Sequence, residues 1–146
     1  MLHLLTSALF AFSADAQPSP ELGVEAVVRV QLEALKLNPQ LDDDAGIRLA
    51  FRFASPSNRA QTGPIERFIP MVKAPAYAPL LGFDSSSVVV MNAKPSGAHV
   101  VVEVRRGSKT QMYMWVLSLQ ENGCWMTDAV VPVEPEGEEA PELLQT

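Results

Sequence analysis

Hydrophobic positions recur at helical spacing in the first third of the chain and alternate with polar positions in its last third. Ser19-Pro20-Glu21 is typical of a helix start, because a capping hydroxyl precedes a proline and an acid of the first turn. The spacing of the apolar residues that follow predicts a long amphipathic helix ending near Asn38-Pro39. Its apolar stripe contains Val24, Val28, Leu32 and Leu35.

A second helix is predicted to begin at Asp42-Asp43-Asp44, where acidic side chains would cap the first turn. Three carboxylates also suggest a calcium loop, but the ligands of such a loop alternate with spacers and end in a glutamate. Helix capping therefore fits the spacing better. Ser55-Pro56 ends the helix, because the residue before a proline avoids helical dihedral angles.

A third, shorter helix is predicted from Thr62-Gly63-Pro64, and we expect Pro70 to kink or shorten it. The prolines at 75 and 79 predict a stiff, extended path from Ala74 to Leu81. The whole stretch 51–83 combines prolines, glycines and aromatic residues. This composition indicates a specifically shaped connection that closes one end of the domain.

From Ser87 onward the hydrophobic period is two, which predicts β-strands. We expect strands at 88–91, 98–106, 110–119 and 124–133, joined by short turns that contain glycine. Such a succession predicts an antiparallel meander, with the third strand central because both of its faces are apolar. Helices followed by strands predict an α+β fold, in which the helices pack on a curved four-stranded antiparallel sheet.

Charge divides the chain into a neutral domain and acidic flanks. Residues 20–133 contain eleven acids (17 − 6) and all 11 bases, so the net charge of −6 comes from Asp15 and five tail glutamates. We expect one domain at 20–133 and a disordered acidic tail at 134–146. The chain has no basic stripe interleaved with aromatic residues, so we expect no nucleic-acid partner.

Residues 1–19 contain an apolar run followed by Ala14-Asp15-Ala16, a pattern typical of a secretory cleavage site. The run is too short to span a bilayer, and no lysine or arginine precedes it. Three interpretations stay open: a cleavable signal, a remnant of an organellar transit peptide, and a disordered or docked extension. A targeting signal would make the protein exported or organellar (in a plastid, for example); otherwise we expect it to be soluble and intracellular.

The sequence contains few residues and motifs of the kinds that bind metals or cofactors. Cys124 is the single cysteine, and His3 and His99 are the only histidines. We therefore expect no metal site. No glycine-rich nucleotide loop and no G-x-S-x-G motif occurs, so we expect no nucleotide cofactor and no serine hydrolase site.

The central motifs resemble those of a family of small bacterial and plastid proteins of unknown function. They read A-S-P-x-x-R at 54–59, G-P-x-E-R-F-x-x-M-V at 63–72 and A-Y-x-P-L at 76–80. The order of elements also resembles the cystatin-like cone fold of nuclear transport factor two and ketosteroid isomerase. These resemblances imply a cone with an interior pocket and dimerisation through the open face of the sheet, and they imply no particular reaction.

Candidate ligand-binding residues are the large apolar groups expected inside such a cone, and the same groups also serve to fill a core. Arg59 and Arg67 form a polar cluster with Glu66, which we interpret as an ion-pair network with anion binding as the alternative. The predicted ligand-binding residues are Phe51, Arg59, Arg67, Phe68, Tyr77, Trp115 and Trp125.

Asp128 is the main candidate for acid–base chemistry, because a carboxylate in a strand expected to be buried needs a partner. The resembled isomerases use aspartate and tyrosine for proton transfer, which makes Asp128 and Tyr77 (or Tyr113) weak catalytic candidates by resemblance. The alternative is that Asp128 meets Arg59 or Arg67, or points to solvent. The sequence therefore favours a module that binds a small apolar ligand or a partner protein, with a small isomerase- or dehydratase-like enzyme as the alternative.

Overall fold

The structure, a computed structural model, describes residues 13–134, and within this range four α-helices pack against one antiparallel sheet. Short 3-10 helices lie at Asn38–Gln40, Asp42–Asp44 and Ala78–Leu80. The predicted α+β arrangement is confirmed. The elements are α1 (Val24–Leu37), α2 (Ala45–Arg52), α3 (Pro56–Thr62), α4 (Ile65–Lys73), β1 (Ser85–Ala93), β2 (Gly97–Arg106), β3 (Lys109–Leu119) and β4 (Trp125–Val133).

The four strands form a meander in the order β1-β2-β3-β4, with every neighbouring pair antiparallel. Strand β3 is therefore internal, as its two apolar faces predict. Gly107 and Gly123 lie in the last two turns with φ of 61° and 88°, a backbone region that side chains disfavour. These glycines let the strands reverse direction within a few residues.

The core lies between the helices and one face of the sheet. Alternate residues of the two central strands are buried on this face, as expected for strands with one covered side. Helices α1 and α2 supply the opposing apolar side chains. The buried residues include Val27, Val28, Leu32, Ile47, Leu49, Val100, Val102, Val104, Tyr113, Trp115 and Leu117.

The connection between helices and sheet contains more structure than its prolines predict. Ser55-Pro56 does end α2, but it also begins α3, because Ser55 Oγ accepts a hydrogen bond from Asn58 N at 3.3 Å and proline fits the first helical position. Pro70 lies inside α4, which continues to Lys73. The predicted extended path after Ala74 is wrong, since the chain forms a turn and then the 3-10 helix Ala78–Leu80.

The predicted starts of the first two helices also need correction. Helix α1 begins at Val24, and Ser19 instead closes a local turn by hydrogen bonds with Glu21. Asp44 does not cap α2, because Asp43 and Asp44 both adopt left-handed dihedrals (φ 58° and 53°) that turn the carboxylate elsewhere. The cap comes from the end of α1, where Asn38 Oδ1 accepts a hydrogen bond from Ile47 N at 3.0 Å.

Asp44 instead forms an ion pair with Lys73 of α4, with a distance of 3.0 Å between Lys73 Nζ and Asp44 Oδ1. Hydrogen bonds from Lys73 and then from Asn38 lower the pKa of Asp44 below its ordinary value of 3.8. The Asp44 carboxyl therefore binds its proton less tightly in the folded protein than in the unfolded chain. Its contribution to the free energy of unfolding is present above the unfolded-state pKa and is lost as the pH falls through the folded-state pKa.

We expect Lys73→Met to raise the pKa of Asp44 and to reduce the loss of unfolding free energy between about pH 5 and about pH 2. NMR titration of the Asp44 carboxyl, with denaturant unfolding at several pH values, measures both effects. Lys94→Met, in the exposed β1–β2 turn, is the matched control. An unchanged Asp44 titration in Lys73→Met would mean that the ion pair does not form in solution.

Candidate functional site

A cavity of about 230 Å³ lies between the helices and the covered face of β3 and β4. Most of its wall is apolar, and helices α1, α2 and α4 supply much of that wall. The apolar lining includes Leu35, Phe68, Met71, Val72, Leu80 and Val130. Residues with polar side-chain atoms in the lining include Gln31, Asn58, Tyr77, Trp115 and Thr127.

Part of the cavity wall lies where the chain between α2 and α3 pairs with β4, since Ala54 and Thr127 both line the cavity. Ser55 N donates to Thr127 O at 2.8 Å, and Thr127 N donates to Phe53 O at 2.7 Å. Asn58 Nδ2 adds a hydrogen bond to Thr127 O at 3.1 Å. This short parallel bridge holds the helical layer to the sheet and fixes this part of the cavity wall.

Gln31 is a buried polar residue of the cavity wall that the sequence reasoning missed. Its side chain is on α1 and is 3% exposed. Nε2 donates to Thr127 Oγ1 at 2.8 Å and to Val27 O at 3.3 Å, and no donor among residues 13–134 reaches Oε1. The sequence does indicate that Gln31 is buried, because it lies four residues after Val27 and four before Leu35, within the apolar stripe of the helix.

Trp115 is another residue of the lining, and it carries an unsatisfied buried donor. The residue is 1% exposed, and in the described part of the chain its indole Nε1 has no hydrogen-bond partner. Leaving a buried donor unpaired costs about 1–3 kcal/mol. An acceptor that reached Nε1 would recover much of that cost.

Two tyrosines lie near each other beside the cavity, and of the two only Tyr77 is among its lining residues. Tyr77 Oη donates to Val130 O at 2.8 Å, and Tyr113 Oη donates to Ala76 O at 2.8 Å, with the ring centroids 6.1 Å apart. Burial raises the pKa of both hydroxyl groups, and the neighbouring Tyr77 raises that of Tyr113 further. Both groups are therefore neutral donors at physiological pH, already bonded to backbone carbonyls.

Asp128 is among the residues that line the cavity, at a bulge of β4 opposite β3. Its Oδ1 accepts a hydrogen bond from Ser118 Oγ at 3.0 Å, and Ser118 Oγ also accepts one from Gln120 Nε2. Within residues 13–134 it makes no ion pair with Arg59 or Arg67 and no hydrogen bond with Tyr77. Both catalytic candidates are therefore residues of the lining, but the structure does not join them, because the Asp128 carboxylate bonds Ser118 and the Tyr77 hydroxyl bonds Val130 O.

The other candidate residues lie outside the cavity lining. The Phe51 and Phe68 rings are in contact, with centroids 4.7 Å apart, so Phe51 supports a lining residue from behind. Arg59 lies over Phe51, with 5.3 Å between the guanidinium carbon and the ring centroid. Trp125 is half-buried and packs against the core.

The expected ion-pair network of Arg59, Glu66 and Arg67 is wrong for the described residues. Arg59 instead donates to the carbonyl oxygens of Ala54 and Arg52, and Arg67 donates to that of Gln61. Backbone carbonyls at helix ends lack intrahelical partners, so the guanidinium groups satisfy them. Both arginines thus hold the connection in shape, which is the structural role expected for the cluster.

Residues 13–134 contain no group of three or more histidine, cysteine, aspartate or glutamate side chains placed to hold a metal ion. None of the helices in this range has the length and apolar character needed to cross a membrane. Of the predicted N-terminal segment 1–19 and the predicted acidic tail 134–146, residues 1–12 and 135–146 lie outside the described residues. Ala14 and Ala16 are described, and Arg52 donates to their carbonyl oxygens at 2.6 and 3.0 Å.

The fold and the cavity define a small α+β domain whose helical layer forms a largely apolar cavity with a meander sheet. The chain belongs to the family described as "Domain of unknown function (DUF4864)", whose model matches residues 18–140. The expected membership in a family of unknown function is confirmed. No curated protein and no solved structure matches the chain.

Proposed function

We propose that this protein is a binding module that holds a small, uncharged and largely apolar molecule in the cavity behind β3 and β4. The observation that carries the proposal is a largely apolar cavity of about 230 Å³ whose lining residues include Trp115, a side chain with a buried indole N–H that has no partner among residues 13–134. A filled core would bury the same aromatic residues, but it would not need a donor without a partner.

The size of the cavity limits the ligand. An engineered apolar cavity of about 150 Å³ binds benzene. The larger space here, about 230 Å³, therefore suits a single ring that carries a short substituent. The apolar lining would supply most of the binding free energy, as in other small-molecule sites.

The polar atoms of the wall limit its chemistry. No lysine or arginine is among the described lining residues, and the one acidic residue there is Asp128, whose Oδ1 accepts from Ser118 Oγ. A ligand carboxylate would therefore be buried without a cation, which is costly. A neutral carbonyl fits better, since Trp115 Nε1 can donate to it while Gln31 Oε1 accepts from a ligand hydroxyl or amide.

A matched pair of probes, acetophenone and ethylbenzene, tests the proposal. Both have a ring and a short chain, but only acetophenone has an acceptor. We expect acetophenone to bind about fivefold more tightly and to shift the indole N–H resonance of Trp115 downfield, because one hydrogen bond is worth about 1 kcal/mol. Titration followed by ¹H–¹⁵N correlation spectra of the full chain measures affinity and site together.

Two variants separate the possible outcomes. Trp115→Phe should remove the preference for acetophenone while leaving ethylbenzene binding, and Trp125→Phe should leave both unchanged because Trp125 lies outside the lining. Binding of neither probe at millimolar concentration would mean that the space is not a ligand site. Equal binding of both, with the Trp115 resonance unmoved, would refute the role of the indole.

The enzyme alternative has less support. Tyr77 and Asp128 each bond a different group, and burial raises the pKa of the tyrosine and keeps it protonated, so no acid–base pair is assembled. Binding is therefore the proposed role. We also propose that residues 20–133 fold as one cystatin-like cone, since one helical layer covers one face of a meander.

A further inference from the structure

A second space, of about 340 Å³, lies at the end of the sheet where β2 turns into β3, and we call it the hairpin groove. The chain between α4 and β1 forms one wall, and the two strands form the other. The apolar lining residues are Pro75, Ala78, Pro79 and Val104. This groove is separate from the cavity behind β3 and β4, because the two share no lining residue.

Hydrogen bonds hold the two walls of the hairpin groove together. Tyr113 Oη of β3 donates to Ala76 O at 2.8 Å, which ties the proline-rich wall to the sheet. Asp84 N donates to Arg105 O at 2.8 Å, and Asp84 Oδ2 accepts from Gly107 N at 2.8 Å, which ties the same connection to the β2–β3 turn. The groove is therefore formed before any ligand arrives, as is usual for small-molecule sites.

Two basic side chains line the strand side of the groove. Arg106 and Lys109 are directly paired across the β2–β3 hairpin. Arg106 Nη2 donates to Leu81 O, and a Cβ at Gly82 would lie 2.9 Å from the same nitrogen. The guanidinium is thus held against the backbone at residues 81 and 82. Because a guanidinium carries five N–H donors, the others stay available to a ligand.

No carboxylate among residues 13–134 pairs with these two cations. Asp84 bonds the backbone of Gly107, and Glu134 comes directly after Val133, which pairs with Met112 of β3. Neither acid forms an ion pair with Arg106 or Lys109, and the ion pairs of the described residues lie elsewhere. The groove therefore combines apolar walls with two positive charges that lack a counter-charge in this part of the chain.

We propose that the hairpin groove is a second ligand site, which binds a small organic acid. The carboxylate lies between Arg106 and Lys109, since an ionised acceptor forms the stronger kind of hydrogen bond with a guanidinium or an ammonium group. The apolar part of the acid packs on Pro75, Pro79 and Val104. An inorganic anion would leave these walls uncovered, and a neutral apolar molecule would leave the charges unpaired. The two sites thus select opposite classes of ligand, because the larger cavity wall described above has no cation.

A matched pair of probes, 3-phenylpropionate and 3-phenylpropionamide, tests the proposal in the full chain at neutral pH. The two have the same ring and chain, but only the acid is charged. We expect the acid to bind about tenfold more tightly and to shift the backbone amide resonances of Ala78 and Gln111, with the indole resonance of Trp115 unmoved. Raising the salt concentration should reduce this preference, because partly exposed charges are screened.

Lys109→Gln should weaken binding of the acid about threefold and leave the amide unchanged. Lys109 has no side-chain hydrogen bond within residues 13–134 to lose, so the variant is expected to keep the fold. Adding Arg106→Gln should abolish the preference for the acid, with circular dichroism as the check on folding. Lys94→Gln, an equal charge change in the exposed turn at the other end of the sheet, is the matched control and should change neither affinity.

Failure of both probes to bind at millimolar concentration would overturn the proposal. Equal affinity of the acid and the amide would overturn the role of the cations, as would equal effects of Lys109→Gln and Lys94→Gln. The glutamates of residues 135–146 offer another source of carboxylate. Binding of the acid only after these residues are deleted would assign the groove to the acidic tail and would also overturn the proposed site for a free acid.

Discussion

Replacing Gly46 by alanine is expected to destabilise the protein by about 3 kcal/mol or more, because α2 crosses α1 without room for a side chain. A Cβ at position 46 would lie 2.0 Å from the carbonyl oxygen and 2.9 Å from the carbonyl carbon of Ala34. Both atoms belong to the backbone of α1, so the helices would have to move apart. Helix propensity alone predicts the opposite sign, a gain of about 1 kcal/mol.

Guanidinium unfolding followed by circular dichroism measures this loss. Gly23→Ala is the matched control, since no atom lies within 4 Å of the place that a Cβ would take at residue 23. We expect that control to cost about 1 kcal/mol or less, because Gly23 is the N-cap of α1 and alanine is less favourable than glycine there. Equal stability of the two variants would show that the close crossing of α1 and α2 does not exist in solution.

Asn38→Ala is expected to cost about 2 kcal/mol, because it leaves the buried start of α2 without its hydrogen-bond acceptor. Asn38 is 4% exposed, and its Oδ1 accepts from Ile47 N at 3.0 Å. Its Nδ2 donates to Asp44 Oδ1 at 3.2 Å, so the variant also removes one of the hydrogen bonds that lower the pKa of Asp44.

Urea unfolding at neutral pH measures the effect of Asn38→Ala. Gln40→Ala, an exposed change in the same 3-10 helix, provides the control and should be close to neutral. A loss below about 0.5 kcal/mol in Asn38→Ala would mean that water replaces the amide cap. A loss near the expected value would confirm that α2 is capped by the preceding helix and not by its own aspartates.

The sequence predicted several of the large apolar residues that line the cavity, but it did not predict the polar contacts of the lining. Phe68, Tyr77 and Trp115 were expected in a pocket from their size and position, and all three line the cavity. Phe51 and Trp125 have the same character but lie outside it, because hydrophobicity indicates burial and not which buried surface faces a space. Residue type therefore predicted a set of candidate pocket residues, and only some of them line the cavity.

The hydrogen bond between Gln31 and Thr127 joins residues 96 positions apart, and no local pattern indicates it. The same holds for Arg59 and Arg67, where opposite charges nearby in the chain suggested ion pairs. The arginines bond carbonyl oxygens instead, because helix ends expose unpaired carbonyls at a short reach. Local charge patterns describe neighbours along the chain, whereas these bonds depend on where helices end in space.

The class of the fold follows from the sequence alone. The period of the hydrophobic positions distinguishes helices from strands locally. The short turns place consecutive strands side by side, so these strands pair antiparallel. The sequence also determined that β3 is internal. The tertiary structure alone decided the helix caps, the tight crossing at Gly46, and the unpaired Trp115 donor. These features depend on distances between segments far apart in the chain, and such distances are set only when all elements pack together.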